Sequence, residues 1–240
     1  MGKRRPESAV KLRREDELDR DLLQKIEREL PLPFTDTTMG GANAVGVVTV
    51  HSFGTIPADK ALRPNGKSWC AQSASVLAPI GFKSQRKYKK LGAPEKTCSC
   101  EVALEGDTLK FIASDGKKVC TGSTANEAWG KLADVWDRPN IRNEDRGAPK
   151  FGVGIEGVQH IMALLPNAIA LCDGPFHRFK ETRKEQREEA LKVFQRACEL
   201  RRIINSGAKV NPRDFIEVPK GRRTLWGAEH SSGASKRTKF

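Results

Sequence analysis

The stretch TCSCEVALEGDTLKFIASDGKKVC, residues 97–120, decides the fold class of this chain. Its first part alternates in hydrophobicity, so that Cys98, Cys100 and Val102 would share one face of a strand and polar or small residues the other. The turn sequences EGD and DG then lead into two further predicted strands, LKFIA and KKVC. The stretch therefore predicts an antiparallel meander with one buried face.

The segments around this meander predict further strands and loops. VGVVTVHSFGTI at 45–56 is β-branched and predicts a strand, and NAIALC at 167–172 predicts a last strand. Residues 31–44 are rich in proline, threonine and glycine and predict a linker, while residues 59–78 and 137–150 predict long loops. With the helices described next, these elements predict an α+β fold, an antiparallel β-sheet with helices packed on it.

Hydrophobic periodicity predicts helices on both sides of the sheet region and within it. One covers residues 7–30, one begins near Thr124 with a capping box completed by Glu127, a short one covers GVQHIMALLP, and an amphipathic one covers 176–205. The two outer helices either brace the domain edge or dock onto a partner protein, and the sequence leaves both interpretations open. The candidate partner-binding residues on their apolar faces are Leu18, Leu22, Ile26, Leu30, Leu191, Phe194 and Cys198.

These elements divide the chain into four predicted parts. A length of 240 residues has room for one domain with extensions. Residues 1–43 are predicted to hold an amphipathic helix and linker, and residues 44–180 the α+β domain. Residues 181–205 are predicted to form the C-terminal amphipathic helix, and residues 206–240 a basic, disordered tail.

The chain is strongly basic, and its excess positive charge lies mostly toward the C-terminus. The net charge is +13 and the pI about 9.6. Residues 1–43 carry nine basic and nine acidic residues, whereas residues 176–240 carry seventeen basic and eight acidic ones. This charge makes nucleic acid or another acidic partner a candidate. The candidate contacts are Lys83, Lys87, Lys89, Lys90, Arg222, Arg223, Lys236 and Arg237.

The segment GFKSQRKYKK, residues 81–90, supports two interpretations. In the first it is part of the fold, with Phe82 and Tyr88 packed and Arg86 satisfying internal acceptors. In the second its lysines touch phosphates or an acidic protein, through contacts that salt would weaken. Tyr88 is the single tyrosine, which argues against an aromatic platform for stacking bases. Basic clusters near both chain ends also fit nuclear localisation signals.

Two strings match nucleotide-binding motifs without the structural context that such motifs need. ALRPNGKS at 61–68 fits a relaxed Walker A pattern, but neither a strand leads into it nor a helix follows it. GVGIEG at 152–157 is a formal GxGxxG preceded by a polar segment. Its glycines are predicted to serve tight turns and close backbone approach. The sequence predicts no enzyme, no catalytic residues, no cofactor and no small-molecule substrate.

The cysteines and histidines show no spacing typical of a metal site. None of the six cysteines forms a CxxC pair, and no HxH or H-x(3–5)-H motif accompanies them. No apolar run is long enough to cross a bilayer, and the N-terminal segment has no apolar core of a signal peptide. The sequence thus predicts no metal, no membrane partner, and an intracellular protein with reduced cysteines.

Three segments carry a resemblance to a known family. PIGFKSQRKYKKLGAPEKTCSCEV at 79–102 resembles the F/Y-rich N-terminal (FYRN) motif. VCTGSTANEAWGKL and FGVGIEGVQHIMALLPNAIALC resemble the F/Y-rich C-terminal (FYRC) motif, which places an FYRN-like part at 79–104 and an FYRC-like part at 109–175. The matching residues with an expected structural role are Gly81, Phe82, Arg86, Tyr88, Cys100, Trp129, Phe151, Gly152, Leu165 and Pro166. This copy departs from the family pattern in having few tyrosines and insertion-like loops at 63–78 and 137–150.

The resemblance implies that both motifs form one compact α+β module, the FYR domain. Such modules occur in nuclear, chromatin-associated proteins, including histone methyltransferases and Jumonji-type demethylases, whose catalytic patterns are not recognised here. The layout is similar to that of a free-standing FYR protein, the transforming growth factor beta regulator protein. The resemblance therefore implies a non-enzymatic nuclear subunit or scaffold of a chromatin-modifying or transcription-regulating complex. The basic loop and tail support an alternative, a nucleic-acid-binding protein or a basic structural subunit of a ribonucleoprotein.

Overall fold

The structure, a computed structural model, describes residues 7–36, 46–58, 71–73, 76–88, 96–135, 147–168, 183–208 and 210. Its helices are α1 (Glu7–Arg28), α2 (Ala125–Val135), α3 (Gly147–Phe151), α4 (Glu156–Met162) and α5 (Arg183–Asn205). Its strands are β1 (Leu32–Asp36), β2 (Gly46–Thr55), β3 (Ala71–Ser73), β4 (Val76–Leu77), β5 (Ile80–Tyr88), β6 (Lys96–Glu105), β7 (Thr108–Ser114) and β8 (Val119–Gly122). A six-stranded antiparallel sheet has the order β1-β2-β5-β6-β7-β8, and β3 and β4 form a separate pair.

The predicted meander is confirmed as strands β6, β7 and β8. Within the β6–β7 pair, Cys100 lies opposite Ala113 and Val102 lies opposite Phe111. All four of these side chains are buried, so the alternation in the sequence does mark the inner face of the sheet. The strand predicted at 45–56 is confirmed as β2. The chain therefore has the predicted α+β fold, an antiparallel sheet with helices packed on it.

Among the described residues, the helices lie on one face of the sheet, and the other face carries exposed side chains. α2 contacts β7 and β8, α3 contacts β2 and β5, and α5 contacts β1. Residues of β5 alternate accordingly between the two faces. The buried residues are Phe82, Ser84 and Arg86, and the exposed ones are Lys83, Gln85 and Lys87. Polar residues of the inner face are thus placed against helices.

The linker predicted over 31–44 is wrong at its start, because β1 forms the edge strand of the sheet. Leu32 lies opposite Val50 and Phe34 lies opposite Val48, and all four side chains are buried. The neighbouring prolines favour a linker in sequence, but an edge strand tolerates proline because one side of it needs no ladder donor. The remainder of the predicted linker, from residue 37 onward, lies outside the described residues.

Both predicted long loops contain regular structure near their ends. β3 and β4 lie within the loop predicted at 59–78, and α3 begins within the loop predicted at 137–150. The Ala148 N–H donates to the Asn126 side-chain oxygen at 2.8 Å, so α2 supplies a cap for the first turn of α3. Because this cap comes from a distant segment, no local pattern reveals the helix.

The short helix predicted over GVQHIMALLP is confirmed as α4, with an apolar side buried in the core. The strand predicted at 167–172 does not begin at its first residue. Asn167 lies in a turn with φ of 68°, and its side-chain amide donates to the Ile56 carbonyl at 2.7 Å. Residues 169–172 of the predicted strand lie outside the described part of the chain.

The capping box predicted for α2 is confirmed with one difference. The Glu127 N–H donates to the Thr124 hydroxyl oxygen at 3.1 Å, as expected. The Glu127 carboxylate reaches back to Ser123, whose N–H and hydroxyl donate to it at 2.7 and 2.9 Å. Lys131 donates to the same carboxylate at 2.6 Å. The hydrogen bond from Lys131, followed by those from Ser123, lowers the pKa of Glu127 to about 2.

Candidate interaction surfaces

Residues of the FYRN-like and FYRC-like segments meet on the buried face of the sheet. We call this cluster the motif junction, and its members are Phe82, Ser84, Arg86, Trp129, Phe151 and Gly152. The Ser84 hydroxyl on β5 donates to the Phe151 carbonyl at the end of α3, at 2.5 Å. Both groups are buried, so the hydrogen bond satisfies a carbonyl at a helix end, where no intrahelical partner is available.

Gly152 brings the backbone after α3 directly onto strands β2 and β5. Its φ is 102°, a conformation that side-chain-bearing residues rarely adopt. A Cβ atom at this position would lie 3.0 Å from Val48 Cγ1, 3.2 Å from Ser84 Oγ and 3.3 Å from Phe82 Cζ. Glycine therefore permits the close approach, and this part of the GVGIEG string is confirmed as a packing element.

Arg86 and Trp129 form the other half of the motif junction. Arg86 is only 4% exposed, and its guanidinium carbon lies 5.7 Å from the centroid of the Trp129 ring. This distance is within the range of a cation–π interaction, which is strengthened by burial. On the neighbouring strand, a Cβ atom at Gly46 would collide with the guanidinium Nη2, so glycine makes room for the arginine. Arg86 and Phe82 thus belong to the fold, as the structural interpretation of residues 81–90 predicts.

The other motif residues are placed as follows. The Phe151 ring packs edge-on against Phe111 with their centroids 5.6 Å apart. Cys100 lies opposite Ser84, and burial, followed by the charge of Cys98, raises the pKa of its thiol. Gly81 is the second residue of β5 and has a positive φ, and Tyr88 is the last residue of that strand. Leu165 is buried and Pro166 is exposed.

Gln159 is a buried polar residue that the sequence does not single out. From α4 its side-chain oxygen accepts the Leu77 N–H at 2.9 Å, and its side-chain nitrogen donates to the Leu77 carbonyl at 2.9 Å. The same nitrogen also donates to the Val153 carbonyl. Its position four residues after Ile155 and three before Met162 places it on the apolar face of the helix, and this spacing is the signal that could have revealed it. It ties β4 to α4 through backbone groups.

The geometry of β2 to β6 agrees with a comparison to known families. A family model described as F/Y-rich N-terminus matches residues 42–103. The chain contains an FYRN domain. FYRN domains are associated with chromatin and transcription regulators. The matched segment includes β2 and so begins earlier than the FYRN-like part predicted at 79–104. The FYRC resemblance remains a prediction, and a search among curated proteins found no match.

The basic residues predicted to contact phosphates are spread over different settings. Lys83, on the exposed face of the FYRN domain sheet, lies 3.4 Å from the Glu101 carboxylate. Lys87 is exposed near the end of β5. The other predicted contacts lie outside the described residues, namely Lys89, Lys90, Arg222, Arg223, Lys236 and Arg237. Their role in binding therefore remains a prediction.

The apolar faces of α1 and α5 pack inside the protein, which corrects their assignment as partner-binding surfaces. Ile26 and Phe194 are buried in the same core as the inward-facing residues of the FYRN domain. Leu22, Leu30, Leu191 and Cys198 are partly buried and pack against that core. Leu18 is 43% exposed and is the member of the predicted set that remains on the surface. The two helices thus brace the domain, which is one of the two interpretations that the sequence left open.

A group of ion pairs joins α1 to α5. Asp19 is buried, and its carboxylate accepts hydrogen bonds from Arg183 at 2.7 Å and from Arg187 at 2.9 Å. Arg183 also donates to Asp16 at 2.7 Å. Burial by itself lowers the pKa of Arg183, but the hydrogen bond to Asp16 and the charge of Asp19 outweigh it and raise the pKa. Arg201 reaches the Glu29 carbonyl at 2.6 Å. These contacts fix α5 along α1.

Neither a metal cluster nor a membrane span is found in the part of the chain that the structure describes. The described residues contain no group of three or more His, Cys, Asp or Glu side chains placed to hold a metal ion. None of the described helices combines the length and apolar character needed to cross a bilayer.

Proposed function

We propose that the protein is a non-enzymatic, nuclear interaction module that serves as a subunit or scaffold of a chromatin-modifying or transcription-regulating complex. The observation that carries this proposal is the FYRN match over residues 42–103, because that domain is associated with such regulators. The match runs from β2 into β6, and three of the strands in this range, β2, β5 and β6, form the centre of the six-stranded sheet.

The packing of the motif junction supports a scaffold. Phe82, Arg86 and Trp129 are buried, and the Ser84 hydroxyl donates a hydrogen bond to the Phe151 carbonyl. The motif residues therefore stabilise the module, and a partner would bind to surfaces that the junction holds in place. A sheet with one exposed face is suited to such a role because it presents a preformed surface.

The test is affinity purification of the tagged full chain from nuclear extract, with nuclease treatment and moderately high salt, read by mass spectrometry. Subunits of chromatin or transcription complexes should remain bound. A Trp129→Ala chain, whose junction is disrupted, should lose them, whereas deletion of residues 206–240 should retain them. If nuclease and salt remove every specific partner from the intact chain, the scaffold proposal fails.

The alternative is a nucleic-acid-binding protein, or a basic structural subunit of a ribonucleoprotein, acting through the tail. The seventeen basic against eight acidic residues in 176–240 favour it. In that case deletion of residues 206–240 should abolish nucleic-acid binding while the melting temperature stays unchanged. Retention of nucleic-acid binding by the shortened chain would argue against a tail-driven function.

A further inference from the structure

Lysines from β5, from β6 and from the β7–β8 turn lie at the same end of the sheet. Tyr88 at the end of β5 lies opposite Lys96 at the start of β6, and Ser114 at the end of β7 lies opposite Val119 at the start of β8. Ser99 lies opposite Ser114, so both connections are at the same end of the sheet. We call this surface the basic end, and its members are Lys87, Lys96, Lys117 and Lys118.

The one acidic side chain in the turn of the basic end, Asp115, is directed into the turn. Its side chain is 3% exposed and accepts the N–H groups of Lys117 and Lys118 at 3.1 and 2.9 Å, while Lys96 lies 3.0 Å from its carboxylate. Its charge is therefore largely satisfied within the protein. Among the described residues, no carboxylate lies within ion-pair distance of Lys117 or Lys118, and both lysines are exposed.

The rest of the exposed sheet does not share this excess. Lys83, farther along β5, lies beside Glu101. At the opposite end, the β6–β7 turn carries exposed Glu105 and Asp107, and Lys110 donates to Glu105 at 2.8 Å. The described sheet therefore has a positive end and a negative end, and an extended anion would be oriented by this difference.

We propose that the basic end binds the phosphodiester backbone of nucleic acid. Exposed Gln85, Thr97 and Ser99 lie on adjoining strands, and hydroxyl and amide side chains together with lysines are the groups that contact phosphates. A protein partner would need an apolar centre, and at this end Val119 is the exposed large hydrophobic residue, too small for that purpose alone. The site is separate from the tail and does not depend on the scaffold function.

The test measures binding of the full chain to fluorescent duplexes of DNA and of RNA with one sequence, across about 50 to 200 mM salt. The variant Lys117→Gln/Lys118→Gln removes two exposed charges from the turn without touching the Asp115 backbone contacts. The matched control Lys184→Gln/Lys192→Gln removes the same charge from α5, where each lysine lies near a glutamate. Melting temperatures of both variants should equal that of the unaltered chain.

On duplex DNA the slope of log K against log salt is negative, and the turn variant should reduce its magnitude by about 1.8, since each phosphate contact contributes about 0.9. The control should leave the slope unchanged. A reduced salt dependence on both duplexes or on one supports the proposal, and the duplexes affected show whether the basic end binds DNA, RNA or both. Equal slopes for the two variants would overturn it. A turn variant that weakens binding of polyglutamate but of neither duplex would overturn it in favour of an acidic protein partner.

Discussion

Replacing Gly152 by alanine should destabilise the protein by about 2–5 kcal/mol, the sum of two contributions. The φ of 102° is unfavourable for a residue with a Cβ atom, which costs about 1–2 kcal/mol. The new methyl group would also lie 3.0 Å from Val48 Cγ1 and 3.3 Å from Phe82 Cζ. Both neighbours are completely buried, so overpacking adds about 1–3 kcal/mol.

Gly116→Ala separates these two contributions. Gly116 also has a positive φ, 83°, but no atom lies within 4 Å of its Cβ position. It should therefore cost only the conformational part, about 1–2 kcal/mol. Urea unfolding of both variants and of the unaltered chain, followed by tryptophan fluorescence, gives the free energies of unfolding. If Gly116→Ala costs as much as Gly152→Ala, the reasoning about a tightly packed motif junction is refuted.

Four further predictions concern single side chains. Trp129→Ala should destabilise the module by about 3–5 kcal/mol, and an unchanged melting temperature would show that its helix face is wrongly placed. Gln159→Leu should cost about 1–3 kcal/mol for each buried backbone group left without a partner, and a midpoint of urea unfolding equal to that of the unaltered chain would contradict this. Because the folded-state pKa of Glu127 is lowered to about 2 from 4.5, its stabilisation is present above pH 4.5 and is lost as the pH falls through about 2. The stability difference between the unaltered chain and Glu127→Gln should narrow over that window, and a difference independent of pH would disprove the assignment. Burial, followed by the charge of Asp115, raises the pKa of Cys98 to about 11, and burial also raises the pKa of the Cys100 thiol. Iodoacetamide near neutral pH should therefore modify both cysteines in urea but neither in the native protein, as read by peptide mapping.

The elements that the sequence predicts well are those whose pattern repeats within the element. The alternation along β6 reflects a strand with one buried face, and the apolar stripes of α1 and α5 reflect helices lying against a core. Periodicity shows that a face is buried but does not show what covers it. For this reason the same stripe in α1 was compatible with a partner protein, although its residue Ile26 is covered by the protein's own core.

The elements that the sequence does not predict depend on distant contacts. β1 is short and contains proline, and it becomes a strand because Leu32 and Phe34 pack beside β2. α3 starts where Asn126 of another helix caps it. The ion pairs from Asp19 to Arg183 and Arg187 join residues far apart in the chain, and their spacing therefore carries no local periodic signal.

The motif junction shows why the FYRN domain match and the segment after it belong to one folding unit. The match ends at residue 103, but the residues that cover the inner face of its strand β5 come later in the chain. Trp129 covers Arg86, and the turn at Phe151 and Gly152 covers Phe82 and Ser84. Without these residues β5 would expose a phenylalanine and lose the acceptor for its buried hydroxyl, and both effects oppose folding. Because burial of apolar surface is the dominant favourable contribution to folding, the segment from α2 to α4 belongs to the same folding unit as the strands that the family model recognises.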